Sequence, residues 1–287
     1  MRALSSVLLL GLAVVALQPS HVWAQSQEAE TGTALDQVDP MPRPNLRPGF
    51  DPSDDWRVTI GGGALYRPDY LGSDDYEVLP LPLFDLRYRD RFFLSTRDGL
   101  GANLLDNPKL RAGPVLKYRH RRDQDDNRAL RGLGDVDAAG EAGGFVHYDL
   151  RPFSAGAEVR QGFGGHDGVV GDFFVAWSTL LGERTRITAG PNLTLGSSDF
   201  TDTYFSISGN QAARSGLRAY DADGMFMSYG LGATVTYRLS DAWSIGGFAG
   251  VDRLAGDAAD SPLVEDAGSA TQARVGLSIG YSFGFGR

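Results

Sequence analysis

The sequence predicts an all-β fold: a transmembrane, antiparallel, up-and-down β-barrel of about twelve strands with both termini on the periplasmic side. Three observations carry this. The first is the stretch 273–285, where Ala273, Val275, Leu277, Ile279, Tyr281, Phe283 and Phe285 alternate with Arg274, Gly276, Ser278, Gly280, Ser282 and Gly284. Successive strand residues point to opposite faces, so one face is apolar and the other small or polar. A soluble sandwich turns the apolar row to a core, whereas a membrane barrel turns it to lipid and the polar row to a lumen. The second observation is that the connections alternate between tight and long. The third is an export leader in front of a chain with no cysteine.

The leader comes first in the chain. Arg2 supplies a positive charge, 3–17 is an apolar stretch, and Val22-Trp23-Ala24 offers small residues for cleavage after Ala24. The apolar run is too short for a spanning helix, which needs about 20 residues. Residues 25–54 are polar and acidic and carry Pro40, Pro42, Pro44, Pro48 and Pro52, a spacing that opposes helix and ladder alike and predicts an extended periplasmic tail. The barrel is expected over 55–287. Losing the leader removes Arg2 and no acid, which takes the net charge from −9 to −10 and argues against a nucleic-acid partner. An exported chain without disulfides depends on packing and hydrogen bonds, and a closed sheet leaves no edge unpaired.

Twelve strands are predicted at 56–66, 76–88, 91–96, 100–105, 110–119, 143–150, 153–160, 172–180, 184–195, 225–239, 243–253 and 270–285. The connections 89–90, 106–109, 151–152, 181–183 and 240–242 are tight; 67–75, 120–142, 161–171, 196–224 and 254–269 are long, with 97–99 a short exception. Short periplasmic turns and long external loops are the outer-membrane pattern, and an even count returns both termini to the tight-turn side. A further strand at 202–207 would make the count odd, so that segment is left in the long loop as a hairpin or plug. Pro114 and Pro191 each remove a ladder donor, and Pro80 and Pro82 make the second strand the least regular.

With the apolar rows on lipid, the lumen receives Arg57, Asp85, Arg87, Arg111, Lys117, Arg119, His147, Asp149, Glu158, Arg160, Arg186, Arg238, Asp252 and Arg274. Arg57, Arg87, Arg111, Arg186 and Arg238 fall near the tight-turn ends of their strands and are expected to form a cationic periplasmic mouth. Such a lumen suits either an anion-preferring pore or an arginine–carboxylate network that fills a narrow barrel.

Catalysis is not expected: His147 and Asp149 share the lumen face, but no serine is marked by a motif. Asp123, Asp125 and Asp126 are interleaved with arginines, which reads as a solvated charge run rather than a metal site. Gly61-Gly62-Gly63 lacks the helix start of a phosphate cradle and reads as close strand packing. No cofactor is implied.

Pro68-Asp69-Tyr70-Leu71-Gly72-Ser73-Asp74-Asp75-Tyr76, Leu79-Pro80-Leu81-Pro82, Asp90-Arg91-Phe92-Phe93 and Asp98-Gly99-Leu100-Gly101 together resemble the MipA/OmpV family of outer-membrane proteins. Thr203-Tyr204-Phe205, the run from Asp257 to Val264 and the ending Gly280-Tyr281-Ser282-Phe283 extend the resemblance across the barrel, and Pro68, Asp69, Tyr70, Gly72 and Ser73 are its most specific part. The resemblance implies an outer-membrane scaffold that bridges a lytic transglycosylase and a penicillin-binding murein synthase, surrounded by outer-membrane lipid and lipopolysaccharide. Family relatives also include osmotically regulated and adhesion-related surface proteins. A small anion-biased diffusion channel is the alternative. The chain departs from the usual barrel ending by continuing past Phe285 with Gly286-Arg287.

Overall fold

The structure, a computed structural model, describes residues 54–286; the predicted leader and the tail as far as residue 53 lie outside the described residues. The strands are β1 (Trp56–Pro68), β2 (Tyr76–Tyr88), β3 (Phe92–Ser95), β4 (Gly99–Ala102), β5 (Leu105–Asp106), β6 (Leu110–Arg119), β7 (Ala139–Leu150), β8 (Phe153–Gly164), β9 (Val169–Leu181), β10 (Thr185–Gly196), β11 (Phe226–Arg238), β12 (Trp243–Ala255) and β13 (Thr271–Phe285). They form one antiparallel ring in the order β4-β3-β2-β1-β13-β12-β11-β10-β9-β8-β7-β6-β5, closed by pairing of β4 with β6.

β4 and β5 are two pieces of one stave along β6. The pairs Leu100↔Leu116 and Gly101↔Val115 are followed by Leu105↔Ala112 and Asp106↔Arg111, one residue out of step. The extra residue is a bulge at Asn103 and Leu104, beside Pro114, which has no N–H to give. The thirteen segments are therefore twelve staves, as the sequence predicts.

Alternation governs which way the side chains point. In β13, Val275, Leu277, Ile279 and Tyr281 are exposed while Gln272, Gly276, Gly280 and Ser282 between them are buried. The exposed rows form the apolar band that a bilayer covers. Trp56 stacks on Phe285 and tilts against Tyr88 at the tight-turn end, and Tyr66 stacks on Tyr76 near the other, in keeping with aromatic girdles at two interfaces. Trp56 pairs with Phe285, so the barrel begins and ends at the same rim. Arg89 and Asp90 turn the chain there with φ of 48° and 55°, the left-handed pair that a two-residue hairpin requires.

At the opposite, loop-rich end the strands run past the predicted limits. β7 starts at Ala139 rather than 143, β8 ends at Gly164 rather than 160, and the predicted 161–171 loop shrinks to 165–168. Small and polar residues such as Gly140, Glu141, Gln161 and Gly162 fill most of these extensions, so the apolar alternation that marks a strand in the sequence is weak there. The segment 198–205, part of which carried the alternative strand reading, is helix α1 (Ser198–Phe205), followed by α2 (Gly209–Ser215). Only Ile207 makes a bridge, to Tyr220. α3 (Asp257–Asp260) and α4 (Pro262–Glu265) fill the last long loop.

These loops pack on one another as a cap. Phe200, Phe205, Phe226, Leu254, Ala258 and Val264 share one core, and Tyr70, Leu130, Leu133, Ile207 and Leu263 share another.

Toward the cap, one part of the wall stops short. β2 pairs with β3 only from Asp85↔Ser95 to Tyr88↔Phe92, with Thr96 N–H donating to Phe84 C=O at 3.0 Å just beyond. From Tyr76 to Leu83, β2 pairs with β1 alone. Across the gap, β6 meets β4 at Leu100 and Gly101 and continues through Arg119 with β7 alone. Above the β3–β4 hairpin no strand among the described residues lies between β2 and β6, and at its level they stand three strand spacings, about 14 Å, apart. Phe84 directs its C=O toward β3, and Pro82 and Pro80 direct their backbone the same way, into the gap. Proline there removes two N–H groups that would otherwise be orphaned, at about 1–3 kcal/mol each.

Candidate functional site

The interior is built from the inward rows, and its centre is Glu141 on β7. Arg119 Nε donates to Glu141 Oε1 at 2.6 Å, Arg160 Nε donates to Oε2 at 2.6 Å, and His166 Nε2 lies 3.1 Å from Oε1. Arg160 also binds Glu158 and, at 2.8 Å, Asp172. Lys117 reaches Glu158 at 2.7 Å, and Thr194 donates to Asp172 at 2.7 Å. Glu141 and Arg160 are almost fully enclosed, with side chains 2% and 4% exposed. Charges this deep persist because each is paired and hydrogen-bonded. Phe200 of the cap sits on this cluster, edge-on to His166 and under the Arg119 guanidinium. A second cluster gathers Arg274 and Asn192 around Asp252, with the Asn192 amide donating at 2.9 Å.

The five arginines expected to form a cationic mouth keep different company from one another. Arg87 binds Asp85 at 2.9 Å and Asp98 at 3.2 Å; Arg57 binds Asp90; Arg111 lies 3.5 Å from Asp149. Arg238 donates to the Glu183 carbonyl at 3.2 Å. Arg186 has no carboxylate partner among the described residues, and its buried Nε finds no acceptor.

Sequence reasoning missed two interior acids. Glu141 fell in a predicted loop and Asp172 at a predicted strand start. Parity marked both: Glu141 is in the row of Phe145, His147 and Asp149, and Asp172 is in the row of Phe174 and Ala176. His147 itself is held between Phe145 and Phe174 at 5.3 and 5.5 Å between ring centroids.

The motif residues 68–73 belong to the cap rather than the lumen. Tyr70 is buried and donates its hydroxyl to Ala267 C=O at 3.1 Å; burial pushes its phenol up to about 12. Gly72 takes a φ of 100°, a conformation open to glycine, and gives its N–H to Gln272 Oε1 at 3.1 Å. The Gln272 amide donates in return to Ser73 C=O at 3.0 Å, with Ser73 fully buried. Asp69 accepts from Asn127 at 2.6 Å, which ties the first loop to 120–138. Pro68 is buried where β1 ends. The motif therefore latches three loops together.

Among the described residues no group of His, Asp and Glu is placed to hold a metal ion. The Asp123 carboxylate accepts from Asp125 N–H and the Asp126 carboxylate from Asp123 N–H, within one turn. A side chain at Gly61 or Gly63 would collide with the carbonyls of Ile279 and Leu277, so these glycines serve the close approach of β1 and β13. A cavity of about 940 Å³ runs inside the barrel from Arg57 and Arg111 to the underside of the cap at Phe200, Phe226 and Leu254.

The chain is 38% identical to outer membrane protein OmpV of Vibrio cholerae over 240 residues, covering 77% of this chain and 78% of that one. It is 25% identical to the MltA-interacting protein of Escherichia coli over 210 residues, 71% of this chain and 82% of that one. With outer membrane protein Omp26La of Vibrio anguillarum it shares 38% over 87 residues, 30% of this chain and about a third (32%) of that protein's length. Its fold is loosely similar to the NanC porin, at a TM-score of 0.41 and 8% identity over 78% of this chain and 98% of that one. The family model of MltA-interacting protein MipA matches residues 60–283, nearly the whole barrel, and the chain belongs to that family.

Proposed function

We propose that this protein is a non-catalytic scaffold of the outer membrane, with its tight-turn rim and residues 25–54 in the periplasm, where they hold murein enzymes. An MltA-type lytic transglycosylase is the first partner in this reading, and a penicillin-binding murein synthase the second. The relatives named outer membrane protein support the location, and the relative named for its interaction with MltA supports the partner. Outer-membrane phospholipid and lipopolysaccharide surround the barrel.

One observation favours a scaffold over a conduit. The cluster of Arg119, Glu141, Arg160 and Asp172 runs along the neighbouring strands β6 to β9, and the cap packs its own core against its upper end. The test is direct capture: immobilised folded protein, with and without residues 25–54, against purified MltA-type transglycosylase. Retention that weakens on deletion supports docking through the tail. No retention by a barrel shown to be folded by heat-modifiable mobility ends the scaffold reading.

The channel remains the second reading because of Arg186, a half-buried cation without a carboxylate among the described residues, in a barrel whose cavity is lined by Arg57, Arg87 and Arg111. It calls for anion-biased openings in a planar bilayer that fall on neutralising Arg186. A silent bilayer removes it.

A further inference from the structure

We infer that the gap between β2 and β6 is a lateral window through which the acyl chain of a bilayer phospholipid enters the lumen. The inference rests on the membrane-spanning barrel and not on the scaffold role, so the two fail separately.

The window has a frame. The β3–β4 hairpin is its sill, and Asn127, donating to Asp69 at 2.6 Å and Asp75 at 3.1 Å, ties the loops above it into a lintel. The two jambs are strand edges with no ladder partner on the window side: Tyr76–Leu83 of β2 and Lys117–Arg119 of β6. An unpaired edge at membrane depth is tolerated where the backbone borders a polar cavity, because lipid alone satisfies none of its groups. Pro80 and Pro82 have removed two donors from the β2 jamb, which leaves carbonyls that water from the lumen can serve.

The cavity reaches this frame. Its lining includes the inward side chains Leu81, Phe93 and Phe145, and also Leu94, Leu100 and Leu116, which point outward and are 43%, 48% and 51% exposed. The outer rim of the frame lies in the apolar row that lipid covers, so the molecules that reach it are those dissolved in the bilayer.

What lies behind the rim identifies the occupant. The inner face beside the window carries Asp85, Arg87, Lys117 and Arg119, and among these charges are two apolar patches. Leu65 and Leu81 pack together there, and Phe93, Val115 and Phe145 form a second buried patch. Two apolar patches beside a lateral opening fit a hydrocarbon chain. The volume of about 940 Å³ is at the upper end of small-ligand pockets.

The experiment uses the full chain in phosphatidylcholine vesicles that contain a phosphatidylcholine with a photoreactive diazirine at mid-chain, followed by peptide mapping of the adducts. Adducts on inward-facing Leu83, Phe93 or Phe145, alongside those on outward-facing Leu277, are expected. Adducts confined to outward-facing residues overturn the window. Leu83→Asp puts a charge beside the opening and is expected to reduce lumen adducts several-fold while those at Leu277 stay constant. Unchanged lumen adducts in that variant would place the entry elsewhere and overturn the proposal. Should Leu83→Asp not reach the heat-modifiable folded form, Leu100→Trp obstructs the sill from outside and carries the same expectation.

Discussion

At the tight-turn rim, cohesion comes from the backbone: unbroken ladders join β1 to β2 and β13, and Trp56, Tyr88 and Phe285 stack on the lipid side. At the loop-rich end it comes from side chains, with Phe200, Phe205 and Phe226 packed above the Glu141 charges. The first kind of cohesion is spread over many equivalent bonds. The second is concentrated in few residues, so single substitutions should separate the two ends.

The largest separation is expected at the charges. Glu141→Ala leaves Arg119 and Arg160 enclosed without their carboxylate and is expected to cost about 3–5 kcal/mol, the usual result of breaking a buried pair from one side. Asp149→Ala at the other rim frees Arg111 from a longer contact, 3.5 Å with both side chains 28% exposed, and should cost no more than about 1 kcal/mol. Denaturant titration of the refolded barrel reads both. Equal costs would break the contrast between the two ends.

Next comes the cap core. Phe200→Ala removes a ring that is 2% exposed and touches His166, Tyr204 and Phe226, a loss of about 3–5 kcal/mol for a buried phenylalanine. The expected result is local: protease cuts within 196–224 while the strands keep their heat-modifiable mobility. Trp56→Ala should do the reverse, weakening the barrel and leaving that loop resistant. A barrel that unfolds with Phe200→Ala would show that cap and wall form one cooperative unit.

That contrast also governs what could be read in advance. β13 runs Thr271–Phe285 against a prediction of 270–285, because lipid on one side and lumen on the other impose a period of two. The cap imposes no period. α1 has eight residues, and its buried Phe200, Tyr204 and Phe205 complete a core whose other members come from β9, β11, β12, the last loop and, with Val136 and Ala222, two further loop stretches. No window of sequence contains that core. The motif at 68–73 marked the family plainly, yet its physical role needs Gln272, two hundred positions away. The lateral gap left two traces, the short 97–99 link and the prolines at 80 and 82. Only the register shows that they describe the same place.

A smaller effect is expected at that latch. Gln272→Ala leaves Gly72 N–H without its acceptor and removes the amide that donates to Ser73 and Ser269 carbonyls. The loss should be about 1–3 kcal/mol, in the range for unsatisfied buried groups, and should fall on the cap. Hydrogen exchange is the sensitive measurement: faster exchange across 69–75 and 266–270, with the β1–β13 ladder near Trp56 unchanged. Acceleration along the whole ladder would mean that the latch also braces the wall.

The smallest effect is a pH response confined to one end. Burial raises the Tyr70 phenol to about 12, with Asp69 and Asp74 adding to the rise and Ser73 and Arg122 opposing it. In an opened cap the same phenol ionises near 10. Below about 10 it is protonated in both states, and its contribution to cap stability is complete. Between about 10 and 12 the opened state releases a proton that the closed state retains, so closure weakens as the pH rises. The tight-turn rim carries the opposite sign: its hydrogen bond to Arg89 lowers the exposed Asp55 carboxyl, so that contact is complete above the carboxylate range and lost in acid. Proteolysis of 196–224 should therefore accelerate above pH 10. Tyr70→Phe should abolish that step while loosening the cap slightly at neutral pH through loss of the bond to Ala267. A step that survives in Tyr70→Phe would assign it to another group and leave the cap without this titration.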